Sequence, residues 1–239
     1  MKARLDIELA KRGLTQSRSQ AENLIRLGQI EVDGRIASKP GQPVGPDSII
    51  KLLASERYVS RAGLKLASVA ANFKIDFTDK VVLDIGSSTG GFTDYALQHG
   101  ASKVISVDVG TDQLHPSLRG DERIELHEKT DIRDFVTDQT IDIIVGDVSF
   151  ISLREILPHV AKNLMQPSTQ LVAMVKPQFE AGRGQVNKGV IKNDKVRRQI
   201  LADFEEWSQR YFVVRDKRDS DVAGQKGNVE RFYVLKRVK

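Results

Sequence analysis

From Tyr58 onward the chain alternates two hydrophobic rhythms, and this alternation restricts the available folds more than any other feature. Short apolar runs (VVLDI, KVISVD, IDIIVGD, TQLVAMV, YFVVRD and VERFYVLKR) have the length and β-branched content of strands. Between and before them, SRAGLKLASVAANF, TDYALQH, LREILPHVAKNL and the stretch around VRRQILADFEEW repeat apolar residues at helical spacing, and IRDFV continues the series between KVISVD and IDIIVGD. Strands separated by helices require crossover connections, so the expected class is α/β with a mostly parallel sheet and helices on both faces. The last two strands have no helix between them and are expected to pair antiparallel at an edge. In open sheets of this kind, ligands sit beyond the carboxyl ends of the strands, where strand order reverses.

The first sixty residues follow another pattern. Leu5 and Leu9, with Ile7 and Ala10 beside them, mark a helix over 4–12 that Gly13 ends. Ser17-Arg18-Ser19-Gln20 has capping-box spacing, and Ala21, Leu24, Ile25 and Gly28 then recur at helical intervals. Asp33-Gly34 between short apolar runs predicts a hairpin, Pro40, Pro43 and Pro46 break up a loop, and SIIKLL follows as a strand. The expected organisation is a small α+β domain over 1–58 and the α/β domain over 59–239. The first sixty residues carry ten basic and seven acidic side chains within a chain of net charge +5. The pI near 9.3 permits an anionic partner such as nucleic acid.

Composition removes several chemistries. The absence of cysteine excludes disulfides, thiolate metal sites and cysteine nucleophiles. The four histidines, at 99, 115, 127 and 159, lack the paired spacing of a metal site, so no metal is expected. Hydrophobic residues make up 40% of the chain without a run long enough to span a bilayer. MKARLDIELAKRG lacks the continuous apolar stretch of a secretory signal, so the expected location is the cytoplasm, with no membrane partner.

The first chemical signal is VVLDIGSSTGGF. A buried strand ends in Asp84, and Gly86, Ser87, Ser88, Thr89, Gly90 and Gly91 then form a small-residue turn that opens a helix at Phe92. Such a turn lets backbone approach a ligand and presents free amides at the helix start, so Asp84, Gly86, Ser88, Gly90, Gly91 and Phe92 are expected cofactor contacts. The third position of the dinucleotide pattern G-x-G-x-x-G is Ser88, and an acidic residue two before the first glycine is a methyltransferase habit, so the pattern favours S-adenosylmethionine. Asp108 closes the next strand, where its carboxylate can bind both ribose hydroxyls. The plain alternative is a tight turn with incidental glycines.

Charged residues gather at the same edge. Asp147 follows IDIIVG, Lys176 ends LVAMV and is stopped by Pro177, and Glu230 enters the last strand. Lys65 lies on the helix before the first strand, and its spacing from Arg61, Ser68 and Asn72 reads as a solvated face. Together the four suit methyl transfer to a ribose hydroxyl, which needs a base beside the oxygen and a donor held in line. A lysine serves as base only when neutral. Burial, a second cation such as Lys65 and a sulfonium disfavour its charged form, while Asp147 and Glu230 favour it and hold the amine in place. The expected roles are Lys176 as base, with Lys65, Asp147 and Glu230 orienting it and balancing charge.

These residues resemble the haemolysin A (TlyA-like) family of ribosomal RNA 2'-O-methyltransferases across essentially the whole chain. Residues 1–58 are similar to an S-four-like RNA-binding domain, through GL-x-x-SR-x-x-A-x-x-LI-x-x-G-x-I-x-VDG from Gly13 to Gly34. Residues 59–239 are similar to a Rossmann-like, FtsJ-type methyltransferase through YVSRAGLKL, VLDIGSSTGGFTDYAL, VDVG-x-x-QL, DVSFISL, VKPQFEAGR and GNVE. The resemblance implies a catalytic Lys-Asp-Lys-Glu set on Lys65, Asp147, Lys176 and Glu230, overturning the solvated reading of Lys65. It also implies S-adenosylmethionine as cofactor, with Asp131 near the adenine and Asp147 at the cofactor, and ribosomal RNA or ribosomal subunits as partner. Cytidine riboses are the usual targets, and neither DNA nor a membrane is expected. The chain departs from the family pattern at Thr111-Asp112, at Glu128 to Asp131 and at Ser220-Asp221.

Lys11, Arg12, Arg18, Arg26, Arg35 and Lys39 are candidate phosphate contacts, although Glu22 shares a helix face with Arg18 and Arg26 and could pair with both. Phe150 is placed to stack on a base or to fill the core. Three other functions fit less well. An inactive RNA-binding module would not need the intact quartet, a lytic membrane protein would need a spanning or strongly amphipathic segment, and a pseudouridine synthase would not need the glycine turn.

Overall fold

The computed structural model describes residues 2–15, 18–26, 30–52, 58–182, 189–191, 193–224 and 227–238. They form two compact units, 1–57 and 58–239.

In the first unit, β1 (Ala3–Arg4) pairs with β4 (Pro43–Val44), and α1 (Leu5–Lys11) packs against α2 (Arg18–Arg26). Strands β2 (Ile30–Val32), β3 (Arg35–Ile36) and β5 (Ile50–Leu52) form an antiparallel sheet, with Asp33 and Gly34 at φ 49° and 79° in the hairpin turn. Both positive φ values suit the primed turn that matches strand twist. Leu5, Leu9, Leu24, Ile25 and Ile30 make a small closed core. Ser17 and Gly28, which carried the capping-box and periodicity expectations, lie outside the described residues.

The second unit is a seven-stranded sheet. Its strands are β6 (Val81–Ile85), β7 (Lys103–Val107), β8 (Ile124–His127), β9 (Ile143–Gly146), β10 (Gln170–Val175), β11 (Phe212–Asp219) and β12 (Arg231–Arg237). The spatial order is β11-β12-β10-β9-β6-β7-β8, parallel except for β12, which pairs antiparallel with both β10 and β11. Strand order reverses between β6 and β9, so the loops after these two strands flank the crevice where ligands bind in such sheets.

Alternate side chains of the central strands enter two cores. Leu83, Ile105, Ile144, Leu171 and Tyr233 face α5 (Leu153–His159) and α7 (Asp194–Ser208). Val82, Val104, Val145, Val172 and Phe232 face α3 (Arg61–Ala70) and α4 (Gly91–Gln98). Each fully buried aliphatic side chain contributes about 1.5–3 kcal/mol.

One sequence expectation changes. IRDFV forms turns rather than a helix, anchored by buried Ile132 and Phe135. The chain reaches it through β8, an edge strand whose charged, half-exposed residues hide its strand character. Among the described residues, no helix is long and apolar enough to cross a membrane.

Candidate functional site

β6 delivers Asp84 to the crevice, and the turn that follows runs against the end of β9. A Cβ on Gly86 would lie 3.0 Å from the Asp147 carbonyl oxygen. At Gly90 and Gly91 an added side chain would meet neighbouring protein atoms. A Cβ on Gly90 would meet Leu114 and Leu118, and one on Gly91 would meet Ser60, with Ala62 at 2.8 Å and the Gly63 nitrogen at 2.9 Å. Both glycines serve packing, and Gly91 lets α4 cross α3 at backbone distance.

A cavity of about 130 Å³ opens beside the turn, lined by Ala62 of α3, Asp84, Gly86 to Thr89, Phe92, Asp147, Ser149 and Lys176. Asp84 is 1% exposed. One carboxylate oxygen accepts the Thr93 hydroxyl at 2.7 Å, and Thr93 is itself bonded to Ser106 at 2.8 Å. The other oxygen, Oδ1, is buried without a partner, a costly state that a donor or cation in the cavity would relieve. Burial pushes the Asp84 carboxyl up to about 7, opposed by Thr93 and reinforced by Asp147 and Asp108. Asp108 accepts the Ser88 amide at 2.8 Å on one oxygen and the Gly110 amide at 2.7 Å on the other. Each oxygen keeps a further lone pair for a hydroxyl. An unpartnered acidic oxygen in the cavity and a fixed carboxylate at the end of β7 fit S-adenosylmethionine, which carries an ammonium, a sulfonium and a ribose diol.

Two of the expected contacts stand differently. Asp131 does not line the cavity. Its carboxylate pairs with Arg133 at 2.6 Å, which holds it below the usual carboxylate range. Phe92 is 2% exposed and packs toward Phe232, so it is mainly a core residue that also borders the cavity.

The four charged residues form two ion pairs. Lys176 follows the end of β10 as the N-cap of α6 (Pro177–Glu180), with Pro177 at the first helical position. Its Nζ lies 2.6 Å from Asp147 Oδ1 and donates to Ser149 Oγ at 2.6 Å. Lys65 Nζ lies 2.7 Å from Glu230 Oε2. The antiparallel register that pairs Val175 with Arg231 brings Glu230 level with Lys176 one step further on. Neither Asp147 Oδ1 nor Glu230 Oε2 receives an aligned hydrogen bond, so both contacts are ion pairs by distance whose approach is oblique. Lys65 is 9% exposed, so the solvated face expected from periodicity is absent. The loop before β12 covers its partner, since a Cβ on Gly224 would lie 2.8 Å from Glu230 Oε1.

Ser149, Thr93 and Glu180 escaped the sequence reading. Glu180 accepts from the Ser152 hydroxyl at 2.5 Å and the Leu153 amide at 2.7 Å, tying the loop after β9 to α6. Between Ser149 and Ser152, Phe150 adopts φ 67°, is 92% exposed and lies 5.3 Å from the Phe179 ring. The exposure rules out the core alternative for Phe150.

In the first unit, Lys11, Arg35 and Lys39 are exposed. Arg12 is committed to structure. It pairs with Glu8 at 2.8 Å and donates to the carbonyls of Ser48, Gly45 and Pro46, which removes it from the candidate phosphate contacts. Arg18 pairs with Asp6 at 2.8 Å and Glu22 at 3.4 Å while staying half-exposed. The Arg26 side chain lies outside the described residues, as do 183–188 within the glycine-rich loop.

The FtsJ-like methyltransferase family profile matches residues 58–237, and the S4 domain profile matches residues 3–50. The chain is 38% identical to 16S/23S rRNA (cytidine-2'-O)-methyltransferase TlyA of Mycobacterium tuberculosis, over 98% of this chain and 90% of that protein. It is also 38% identical to Hemolysin A of Brachyspira hyodysenteriae, over 95% and 97%. A solved structure from Streptococcus thermophilus, described as a hemolysin, superposes with a TM-score of 0.78 at 38% identity, covering 100% of this chain and 89% of the other.

Proposed function

The chain belongs to the FtsJ-like methyltransferase family, and from that premise we propose that it methylates the 2'-hydroxyl of cytidine riboses in ribosomal RNA, with Lys176 as the base. S-adenosylmethionine is the methyl donor, and when bound it supplies the methyl as an electrophilic carbon. Asp84, Asp108 and the turn from Gly86 to Thr89 would hold it.

The observation that best supports this reading is the Lys176–Asp147 ion pair at the cavity. A ribose hydroxyl is a poor nucleophile until its proton has an acceptor. In the proposed step Lys176 reacts as the neutral amine, its ammonium proton having passed to solvent beforehand. The ribose oxygen bonds to the methyl carbon, the carbon–sulfur bond breaks, and the hydroxyl proton passes to Lys176 Nζ. The ammonium so formed lies 2.6 Å from Asp147, so the acceptor is stabilised as it gains charge. Lys65 and Glu230 form a closed pair beside it, which balances charge and fixes the start of β12. Phe150, exposed at the loop after β9, is placed to stack on a base, and Lys11, Arg35 and Lys39 to contact phosphates.

The target given in the name of the mycobacterial TlyA, a cytidine 2'-oxygen, supports cytidine as the nucleoside. Incubation of the protein with methyl-labelled S-adenosylmethionine and isolated ribosomal subunits or naked ribosomal RNA, followed by digestion to nucleosides, tests the proposal. The expected product is 2'-O-methylcytidine. Label on a base atom, or none on RNA in any form, would refute it.

A further inference from the structure

We propose that Ser149 is a positioning residue for Lys176, setting the direction of the amine while Asp147 supplies its charge partner. The inference rests on the reading of Lys176 as base.

The parallel register that pairs Ala173 with Gly146 continues to bring Ser149 level with Lys176 beyond the strand ends. Two oxygens lie 2.6 Å from Nζ, and they differ in kind. The approach to Asp147 Oδ1 is oblique and leaves that oxygen without an aligned donor. The approach to Ser149 Oγ is an aligned hydrogen bond. Attraction between charges depends on separation, whereas a hydrogen bond weakens steeply off its axis. Asp147 therefore favours the ammonium without fixing its rotation about Cε–Nζ, and Ser149 fixes that rotation.

The consequence concerns the neutral amine, which has two N–H bonds and one lone pair. One N–H is held by Ser149. The carboxylate of Asp147 repels the lone pair and keeps the second N–H on its own side. The third tetrahedral direction then carries the lone pair into the cavity that both Lys176 and Ser149 line. Without Ser149 the amine turns freely, and the lone pair meets the hydroxyl for only part of the time.

The surrounding loop is built to hold this residue still. Glu180 anchors Ser152 and Leu153, and Phe150 next to Ser149 sits in the left-handed region at φ 67°, a strained conformation for a phenylalanine. Ser149 itself is exposed, whereas Lys176, from which it accepts, is buried.

The test compares wild type, Ser149→Ala, Ser149→Thr and Lys176→Ala in single-turnover methylation of ribosomal RNA, with KM measured for S-adenosylmethionine and RNA. Ser149→Ala is expected to lower kcat roughly 10-fold, less than the ~10²–10⁴ expected for loss of the base itself, with both KM values within about twofold of wild type. Ser149→Thr, which keeps the hydroxyl, is expected to recover most of the rate. Unchanged kcat in Ser149→Ala, a loss confined to KM, or equal kcat losses in the Ala and Thr variants would overturn the proposal. Full activity in Lys176→Ala would instead overturn the base assignment on which it rests.

Discussion

Replacing Asp84 with asparagine should make the cofactor-free protein more stable above pH 7. The Asp84 carboxyl is raised from 3.8 to about 7, chiefly by burial. In the unfolded chain it ionises near 3.8, whereas in the fold it keeps its proton until about 7. Its contribution is therefore fully present below 3.8 and is lost as pH rises through that window. About three pKa units at ~1.4 kcal/mol each give a ceiling of about 4 kcal/mol, reduced by any water that enters the cavity. An asparagine at 84 stays neutral, and its amide oxygen can still accept the Thr93 hydroxyl. Urea or thermal unfolding between pH 5 and 8, followed by fluorescence of Trp207, the only tryptophan, reports on the catalytic unit. Wild type should lose stability across this range while Asp84→Asn stays flat and unfolds roughly 5–15 °C higher at pH 8. S-adenosylmethionine should stabilise wild type more at pH 8 than at pH 6. A variant less stable than wild type at pH 8, or one with the same pH slope, would refute the reasoning.

Other substitutions probe the remaining features. Gly91→Ala should cost about 1–3 kcal/mol by overpacking α3, read as a lower melting temperature. Cofactor affinity in that variant should be nearly unchanged, because the added methyl faces Ala62 and Gly63. Asp6 is buried between Arg4 and Arg18, and Arg4 foremost holds its carboxyl well below the usual range. Its contribution is present above an ordinary value near 3.8 and is lost as pH falls below it. Asp6→Asn should therefore speed hydrogen exchange in α1 and α2 at pH 7 and little affect the catalytic unit. Phe150→Ala should weaken RNA binding by about 1–3 kcal/mol, the usual worth of one stacked base, and leave S-adenosylmethionine binding unaltered in calorimetry.

The parallel sheet was legible because its central strands are buried on both faces and read as unbroken apolar runs. β8 was not, because an edge strand with Glu125 and His127 exposes too much of itself to show a strand's apolar pattern. The charges on Asp147 and Lys176 stood out because each ends an apolar run. Lys65 misled, because helical periodicity sees only its own turn, whereas its burial comes from Glu230 and the loop before β12, more than 150 residues away in sequence. Thr93, Ser149 and Glu180 were hidden for the same reason. Each acts through a partner that only the folded sheet brings near. The glycine turn was legible, but the packing of Gly90 against Leu114 and Leu118 and of Gly91 against α3 was not, because those neighbours meet only in the fold.

The most direct test of the central claim is the rate of methyl transfer to ribosomal RNA by Lys176→Ala, measured beside its affinity for S-adenosylmethionine. The account predicts a loss on the order of 10²–10⁴ in rate with cofactor binding retained. A variant that binds cofactor and transfers methyl at the wild-type rate would contradict it.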